Sequence, residues 1–295
     1  MEKNNKIKKE KIIVFSHDAG GAQLLSSYLL SKNIYTVYGI CKGPATKIFK
    51  EKKIKIKKIS FKKSLKIGDY FFTTTSWKSN IEKTAMKYLF KEGKKFITLI
   101  DHWVHFKKRF DFRYLPEEIW SFDLMSYNIC KKTFKNIKIK LKQNFFHEYA
   151  IKKIAKFKKN KQYKLNCLYL TEPISDLYNK LYNKKINISE IDALNFFLNK
   201  CDNKKNITIR VHPNDSIKKY NYVLEKYKHL NIKFDNKTSI YRQLALNFNI
   251  VSYQSSILNL ANKNKNKAIC SATNKKFRIH YLKNKNNYIY NYERI

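Results

Sequence analysis

Nowhere in the 295 residues do two cysteines stand in a Cys-x-x-Cys pair. Cys41, Cys130, Cys167, Cys201 and Cys270 are dispersed, which argues against a zinc site and a disulfide framework and fits a reducing cytoplasm. No apolar run approaches the length of a membrane span. Residues 1–11 are basic, but a short strand follows them in place of the apolar core of a signal peptide. Arginine is rare: of 63 lysine and arginine residues, six are arginine. A formal net charge of +41 ordinarily points to nucleic acid. Here the excess is lysine, mixed with Asn, Ile, Tyr and Phe along the whole chain, with no concentrated basic tail. A solvated lysine surface fits this pattern, and no specific nucleic-acid partner is expected. A second reading is attraction to an anionic membrane surface or to acidic substrates. Also missing are internal repeats, low-complexity linkers and a full G-x-G-x-x-G fingerprint, so a dinucleotide cofactor is not supported.

What the chain does have is apolar material, 43% of residues, over a length that suits two ordinary domains. Ile12-Ile13-Val14-Phe15 reads as a buried first strand. His17-Asp18-Ala19-Gly20-Gly21 follows, and residues 22–30 read as a helix. Two of only six glycines are adjacent here. Strand, glycine turn and helix make the first unit of a Rossmann-like domain. Gly20 and Gly21 suit either a tight turn or close approach of a ligand to the backbone. His17 and Asp18 are polar groups at the ligand end of that strand. Further strands fall at residues 35–40, 54–59 (an edge), 70–74 and 96–100, with helices opening at Gly43-Pro44 and around Ile81. The strand at 96–100 runs into Asp101-His102-Trp103-Val104-His105-Phe106. Asp101 and His102 there are either acid/base or hydroxyl-binding groups, or a helix cap and a packed turn. Lys107-Lys108-Arg109 reads as a solvated or substrate-facing turn. Residues 116–121 read as the last strand of this half, and residues 148–161 as a lysine-rich helical bridge.

The second half restarts the α/β pattern at Cys167-Leu168-Tyr169-Leu170, followed by Thr171-Glu172-Pro173. Ser189-Glu190-Ile191-Asp192 caps a helix. Ile207, Ile209 and Val211 alternate as a strand does, and Pro213 ends it because it has no amide hydrogen to donate. His212 is thereby held at the carboxyl end of the strand with Arg210 two residues back, where open α/β sheets bind ligands. Alone, His212-Pro213 is a strand terminator with a polar side chain. Further on, Ser255-Ser256 stands between the strand at 249–252 and an apolar helix. One serine can cap while the other points its hydroxyl outward, and the pair together with the helix dipole suits an anion.

Arg210-Val211-His212-Pro213 and Ser255-Ser256, in this order and spacing, resemble the bacterial glycosyltransferases of the two-Rossmann GT-B type, in particular sialyltransferase-like and capsule or lipooligosaccharide enzymes. That family carries a third motif of two acids before a glycine, which supplies the general base. Here His17-Asp18-Ala19-Gly20-Gly21 has one acid. The resemblance implies an α/β protein of two Rossmann-like domains facing a cleft, residues 1–150 for the acceptor and 151–295 for the nucleotide-sugar. It implies a cytoplasmic enzyme, peripheral at most to the inner membrane, that moves a sugar from a CMP-activated donor such as a nonulosonic acid onto a cell-surface glycan or glycolipid. His212 would contact the donor phosphate and assist the leaving CMP. Ser255 and Ser256 would hold phosphate oxygens, Arg210 would add charge and Glu172 would accept from ribose hydroxyls. Asp18 is the first choice of base, ahead of Asp101 and His102, and single displacement would invert the anomeric centre. No Asp-x-Asp motif is present, so no metal or other cofactor is expected. Glycerophosphate polymerases look similar in their His-Pro motif, which keeps a CDP-glycerol-type phosphotransferase open. A non-catalytic basic nucleic-acid-binding protein is the third class.

Overall fold

The computed structural model describes residues 10–76, 79–102, 105–158, 163–175, 189–273 and 282–295. Residues 1–9 of the basic N-terminal segment, Trp103-Val104 of the aromatic loop and residues 159–161 of the lysine-rich bridge lie outside them. The chain divides into two compact units, Met1–Glu148 and Tyr149–Ile295.

In the first unit β1 (Ile12–Ser16) leads to α1 (Ala19–Ser31), β2 (Thr36–Cys41) to α2 (Pro44–Glu51) and β3 (Lys55–Lys58) to α3 (Phe61–Ile67). Then follow β4 (Tyr70–Thr73), α4 (Ile81–Lys91), β5 (Ile97–Leu99), α5 (Phe106–Arg109), β6 (Glu118–Ser121), α6 (Leu124–Thr133), β7 (Lys138–Leu141) and α7 (Phe145–Ile154). The strands form one parallel sheet in the order β3-β2-β1-β4-β5-β6-β7. Residues 116–121 are therefore not the last strand of this half, because β7 pairs with β6 from Glu118↔Lys138 to Ser121↔Leu141. Helices cover both faces, so the central strands are apolar on both sides. Val14 packs with Leu25, Leu29, Val37 and Phe72 on one face, while Ile13 and Phe15 pack with Phe71, Met86 and Leu89 on the other.

The second unit runs β8 (Asn166–Leu170), α8 (Glu190–Leu198), β9 (Asn206–Arg210), α9 (Tyr222–Lys226), β10 (Asn231–Phe234), α10 (Ile240–Leu246), β11 (Asn249–Ser252), α11 (Ile257–Lys263) and β12 (Lys267–Cys270). Its five strands are parallel in the order β10-β9-β8-β11-β12. Ser189 and Asp192 close a reciprocal capping box on α8. Tyr169, Phe197, Ile207, Ile209, Val251 and Ile269 build the core on one face. In each unit the chain winds out in one direction from its first strand, then returns to the other side of it. The switch points are β1/β4 and β8/β11, and the loops at their carboxyl ends are where a doubly wound sheet takes its ligand.

Candidate functional site

At the β1/β4 switch point the structure gathers His17, Asp18, Thr74, Thr75, Glu82, Asp101 and Arg109. His17 Nδ1 meets Asp18 Oδ1 at 2.8 Å, and both side chains keep partial access to solvent. The backbone of His17 is pinned from below. Its N–H donates to Glu82 Oε1 at 2.7 Å, and the Thr74 hydroxyl donates to the same oxygen at 3.2 Å. Glu82 lies in the first turn of α4 and is fully buried. Burial pushes its carboxyl up to about 7, and the Asp18 charge adds to the rise against the hydrogen bonds from His17 and Thr74.

Asp101 sits differently from Asp18. Arg109 Nη1 donates to Asp101 Oδ1 at 2.6 Å and to the Thr75 hydroxyl at 2.9 Å. Arg109 is 5% exposed, so it is not part of the solvated turn that the sequence suggests; Lys107 and Lys108 are exposed, while Arg109 folds inward to neutralise a carboxylate. That Asp101 oxygen already has a buried guanidinium as its partner. Burial lowers the His102 pKa, the Asp101 charge opposes this, and the Arg109 charge adds to it.

Gly20 and Gly21 do not form a separate turn before the helix. Both lie in the first turn of α1, and each allows close packing of that helix on the protein itself. A Cβ at Gly20 would stand 2.1 Å from Asp101 Oδ2, and one at Gly21 would stand 2.5 Å from Thr74 Cβ. Gly43 does have a left-handed backbone (φ 54), and a Cβ there would meet His17 Nε2 at 2.6 Å. The Nε2 edge of the imidazole therefore rests against the start of α2.

In the second unit the β9 end is built to fix His212. The Asn236 side chain bonds both backbone groups of Val211, accepting from its N–H at 2.8 Å and donating to its carbonyl at 2.9 Å. It thus continues the ladder where β10 has ended. The His212 N–H donates to the Thr171 hydroxyl at 2.9 Å, which ties the β9 end to the β8 end. His212 Nδ1 accepts from the Asn214 N–H at 3.1 Å. In the neutral ring this places the proton on Nε2. Pro213 is exposed in the turn that follows, which closes from Asp215 N–H to the His212 carbonyl. Arg210 reaches sideways, donating to the Thr238 carbonyl at 2.6 Å and to Gln243 Oε1 at 2.9 Å. Its charge is committed to the start of α10.

The β8/β11 switch point corrects the reading of Ser255-Ser256. Ser256 is itself helical (φ −58, ψ −19) and makes no side-chain cap bond, and α11 has only seven residues. The Ser255 hydroxyl accepts from the Ile257 N–H at 3.3 Å. The protein's own carboxylate occupies the loop: Glu172 Oε1 accepts from the Gln254 N–H at 2.8 Å and from the Ser252 hydroxyl at 2.6 Å. Burial raises the Glu172 pKa, against the pull of these donors. Glu172 thus orders the Tyr253–Ser256 loop from beneath; it is a loop anchor before it is a ribose ligand.

The supports Glu82, Thr171 and Asn236 do not stand out in the sequence, because each lies far along the chain from the group it holds, and Arg109, eight residues from Asp101, is hidden by the lysines beside it. Among the described residues no three His, Cys, Asp or Glu side chains gather to hold a metal ion, and no helix is long and apolar enough to cross a membrane.

No family model matches the sequence, and no curated protein matches it either. Solved structures do match in three dimensions. Anabaena HepE in complex with UDP superposes with a TM-score of 0.57 at 10% identity, covering 88% of this chain and 80% of that one. HepE with UDP and glucose gives the same values. HepE with UDP-glucose gives 0.53 at 10% identity, over 85% of this chain and 77% of that one. The chain has the GT-B fold. At 10% identity the likeness is one of architecture, and it spans both units.

Proposed function

We propose that this GT-B protein is a glycosyltransferase that moves a sugar from a pyrimidine-nucleotide donor onto a glycan or glycolipid acceptor. The observation that carries the reading is the presence, in one GT-B chain, of two Rossmann units that each present ionisable side chains at their own switch point. The donor belongs to the second unit and the acceptor to the first. UDP and UDP-glucose in the HepE structures favour a uridine donor. A CMP-activated nonulosonic acid is the second reading, favoured by the order of His212-Pro213 and Ser255-Ser256.

In this mechanism Asp18 takes the proton of the acceptor hydroxyl. His17 orients the Asp18 carboxylate through Nδ1, and Glu82 and Gly43 hold His17 in place. Asp101, paired with Arg109, keeps the floor of the site neutral overall, and His102 packs beside it. His212 presents Nε2–H to a donor phosphate oxygen and so stabilises the leaving nucleotide. Ser255 and Ser256 offer hydroxyls to the same phosphate, and Pro213 fixes the turn. Glu172 and Arg210 hold the loops on either side. Attack by the acceptor oxygen on the anomeric carbon, with departure of the nucleotide on the opposite face, inverts that centre. The work is cytoplasmic, with at most peripheral contact to the inner membrane.

The test is thermal stabilisation by UDP, CMP, CDP and GDP, followed by donor turnover. UDP or CMP should raise the melting temperature selectively. Asp18→Asn should then lower transfer by about 100-fold or more while the nucleotide shift is kept, and His212→Ala should weaken both. Stabilisation by CDP alone would move the reading to a CDP-glycerol-type phosphotransferase. A protein blind to all four nucleotides would not be a glycosyltransferase of this kind.

A further inference from the structure

We propose that the open edge of the first unit, formed by β2, α2 and β3, binds the acceptor, and that this acceptor is an acidic glycan, a sugar chain bearing carboxylate or phosphate groups. The proposal rests on the glycosyltransferase reading and names its acceptor class.

The lysine excess of the chain is not uniform. Eleven of residues 42–66 are lysine and one, Glu51, is acidic, against 63 Lys and Arg and 22 Asp and Glu among all 295. Ten of the eleven are exposed; only Lys52 is buried. The single acid meets Lys47 at 4.0 Å with both side chains mostly in solvent, so it neutralises little of this field. β3 is the outer strand of the sheet, and its four residues include Lys55, Lys57 and Lys58. Beside it runs a trough of about 390 Å³ lined by Cys41, Ile54 and Ile56 and by the lysines Lys50, Lys53, Lys55 and Lys58. The trough adjoins the candidate base. Cys41 pairs with Ser16 of β1, and Gly43 lies against the His17 ring. An anionic chain lying along the lysines would therefore reach the His17–Asp18 pair.

The same residues speak against other polyanions. No large apolar side chain is exposed within residues 42–66, and the exposed ring of Tyr35 just before β2 stands against ten exposed lysines, too little apolar surface to anchor in a bilayer. The segment has no arginine, and its aromatic rings are withheld: Phe49 is buried and Phe61 is stacked between Phe15 and Tyr88. Stacking on successive bases, which gives single-stranded nucleic acid its footing, has no platform within this segment, and the Tyr38 ring of β2 is already covered by Lys57. Separated lysine point charges over a shallow trough suit a flexible polyanion whose charges are spaced along a sugar backbone.

The test is calorimetric titration of the full chain with oligogalacturonate, with neutral dextran, a random oligonucleotide and phosphatidylglycerol vesicles run in parallel at low and moderate salt. The variant is Lys50→Gln/Lys53→Gln/Lys55→Gln/Lys58→Gln. The control removes four exposed lysines of the second unit, Lys204→Gln/Lys226→Gln/Lys228→Gln/Lys263→Gln. We expect salt-sensitive binding of oligogalacturonate and none of dextran, weakened about tenfold or more by the first set and little by the second. UDP or CMP should stabilise wild type and variant equally. Equal losses in the two quadruple variants would reduce the effect to net charge and overturn the proposal. Tighter binding of the oligonucleotide or the vesicles, lost through the same four lysines, would overturn it in favour of that polyanion. Absence of any nucleotide shift would sink the glycosyltransferase reading, whereas an unaltered oligogalacturonate affinity in the first variant would sink only the acceptor surface.

Discussion

Glu82 has one carboxylate oxygen in hydrogen bonds to His17 and Thr74, while the other, Oε2, is buried without a partner. An ionised carboxylate in that position is costly, and a proton on it removes the cost. The folded protein therefore binds the Glu82 proton up to about 7, whereas the unfolded chain releases it near 4.5. The raised value means that the contribution of Glu82 to stability is fully present below about 4.5 and is lost as pH rises to about 7. Glu82→Gln cannot ionise and should flatten that part of the curve. Melting temperatures of the two proteins between pH 4.5 and 8 should converge or cross, with the variant gaining relative stability by a few kcal/mol in order of magnitude. Parallel curves would mean that Glu82 is already charged in the fold at low pH. In the sequence this residue is unreadable. An acid in the first turn of a helix looks like a partner for the helix dipole, and only the adjacency of β1 and β4 brings it to His17, 65 positions away. Arg109 is hidden for a different reason: its partner Asp101 is only eight residues back, but its setting directly after Lys107 and Lys108 suggests solvent. His17, Asp18 and His212 were legible because a polar residue directly after an apolar β-run lands at the ligand edge of a doubly wound sheet whatever its distant neighbours are.

Strands were easier to read than the contacts between them. Ile12-Ile13-Val14-Phe15 or Asn249-Ile250-Val251-Ser252 can only satisfy a buried parallel sheet, and the fold followed from such runs. The helix α3 escaped because seven residues, three of them lysine, carry almost no periodicity; its signals are the Ser60 cap, which accepts from the Lys63 N–H, and Gly68 just after it. The closeness of β1 and β2 was also silent in the sequence. Gly39 in β2 adopts φ +146, and a Cβ there would stand 1.9 Å from the Val14 carbonyl oxygen. That obstacle is backbone in the middle of the central strand, so it cannot rotate away. Gly39→Ala should cost about 3 kcal/mol or more and leave most of the protein insoluble or melting early. Gly93→Ala is the comparison: φ there is +62 but a Cβ would meet open space, so the cost should stay near 1 kcal/mol. Circular-dichroism melts of the two variants separate strain against neighbouring backbone from the simple expense of a left-handed residue. Similar losses in both would show that β1 and β2 can part more easily than their register indicates.

The whole molecule carries +41 charges on two units whose cores are separate, so most of its lysines have no carboxylate to face. Such a surface repels itself in the folded state, where the charges are closest, and less in the expanded chain. Screening should then stabilise the protein. Raising NaCl from about 0.02 M to about 0.5 M, which shortens the Debye length from roughly 20 Å to under 5 Å, should raise the melting temperature by several degrees. A neutral osmolyte at matched osmolality separates screening from preferential exclusion, and should not reproduce the dependence on ionic strength. The Lys50/Lys53/Lys55/Lys58 quadruple glutamine variant should melt higher than wild type at low salt and show a shallower rise, because it removes four of the most crowded charges. The second-unit control removes the same number from a sparser field and should change the slope less. Equal slopes would mean that repulsion is spread evenly over the surface, and the crowding of residues 42–66 would then have no energetic trace. A steeper slope in wild type would show that the protein tolerates a costly local concentration of lysine, and a ligand that supplies the missing negative charge at that edge is the physical reason to keep it.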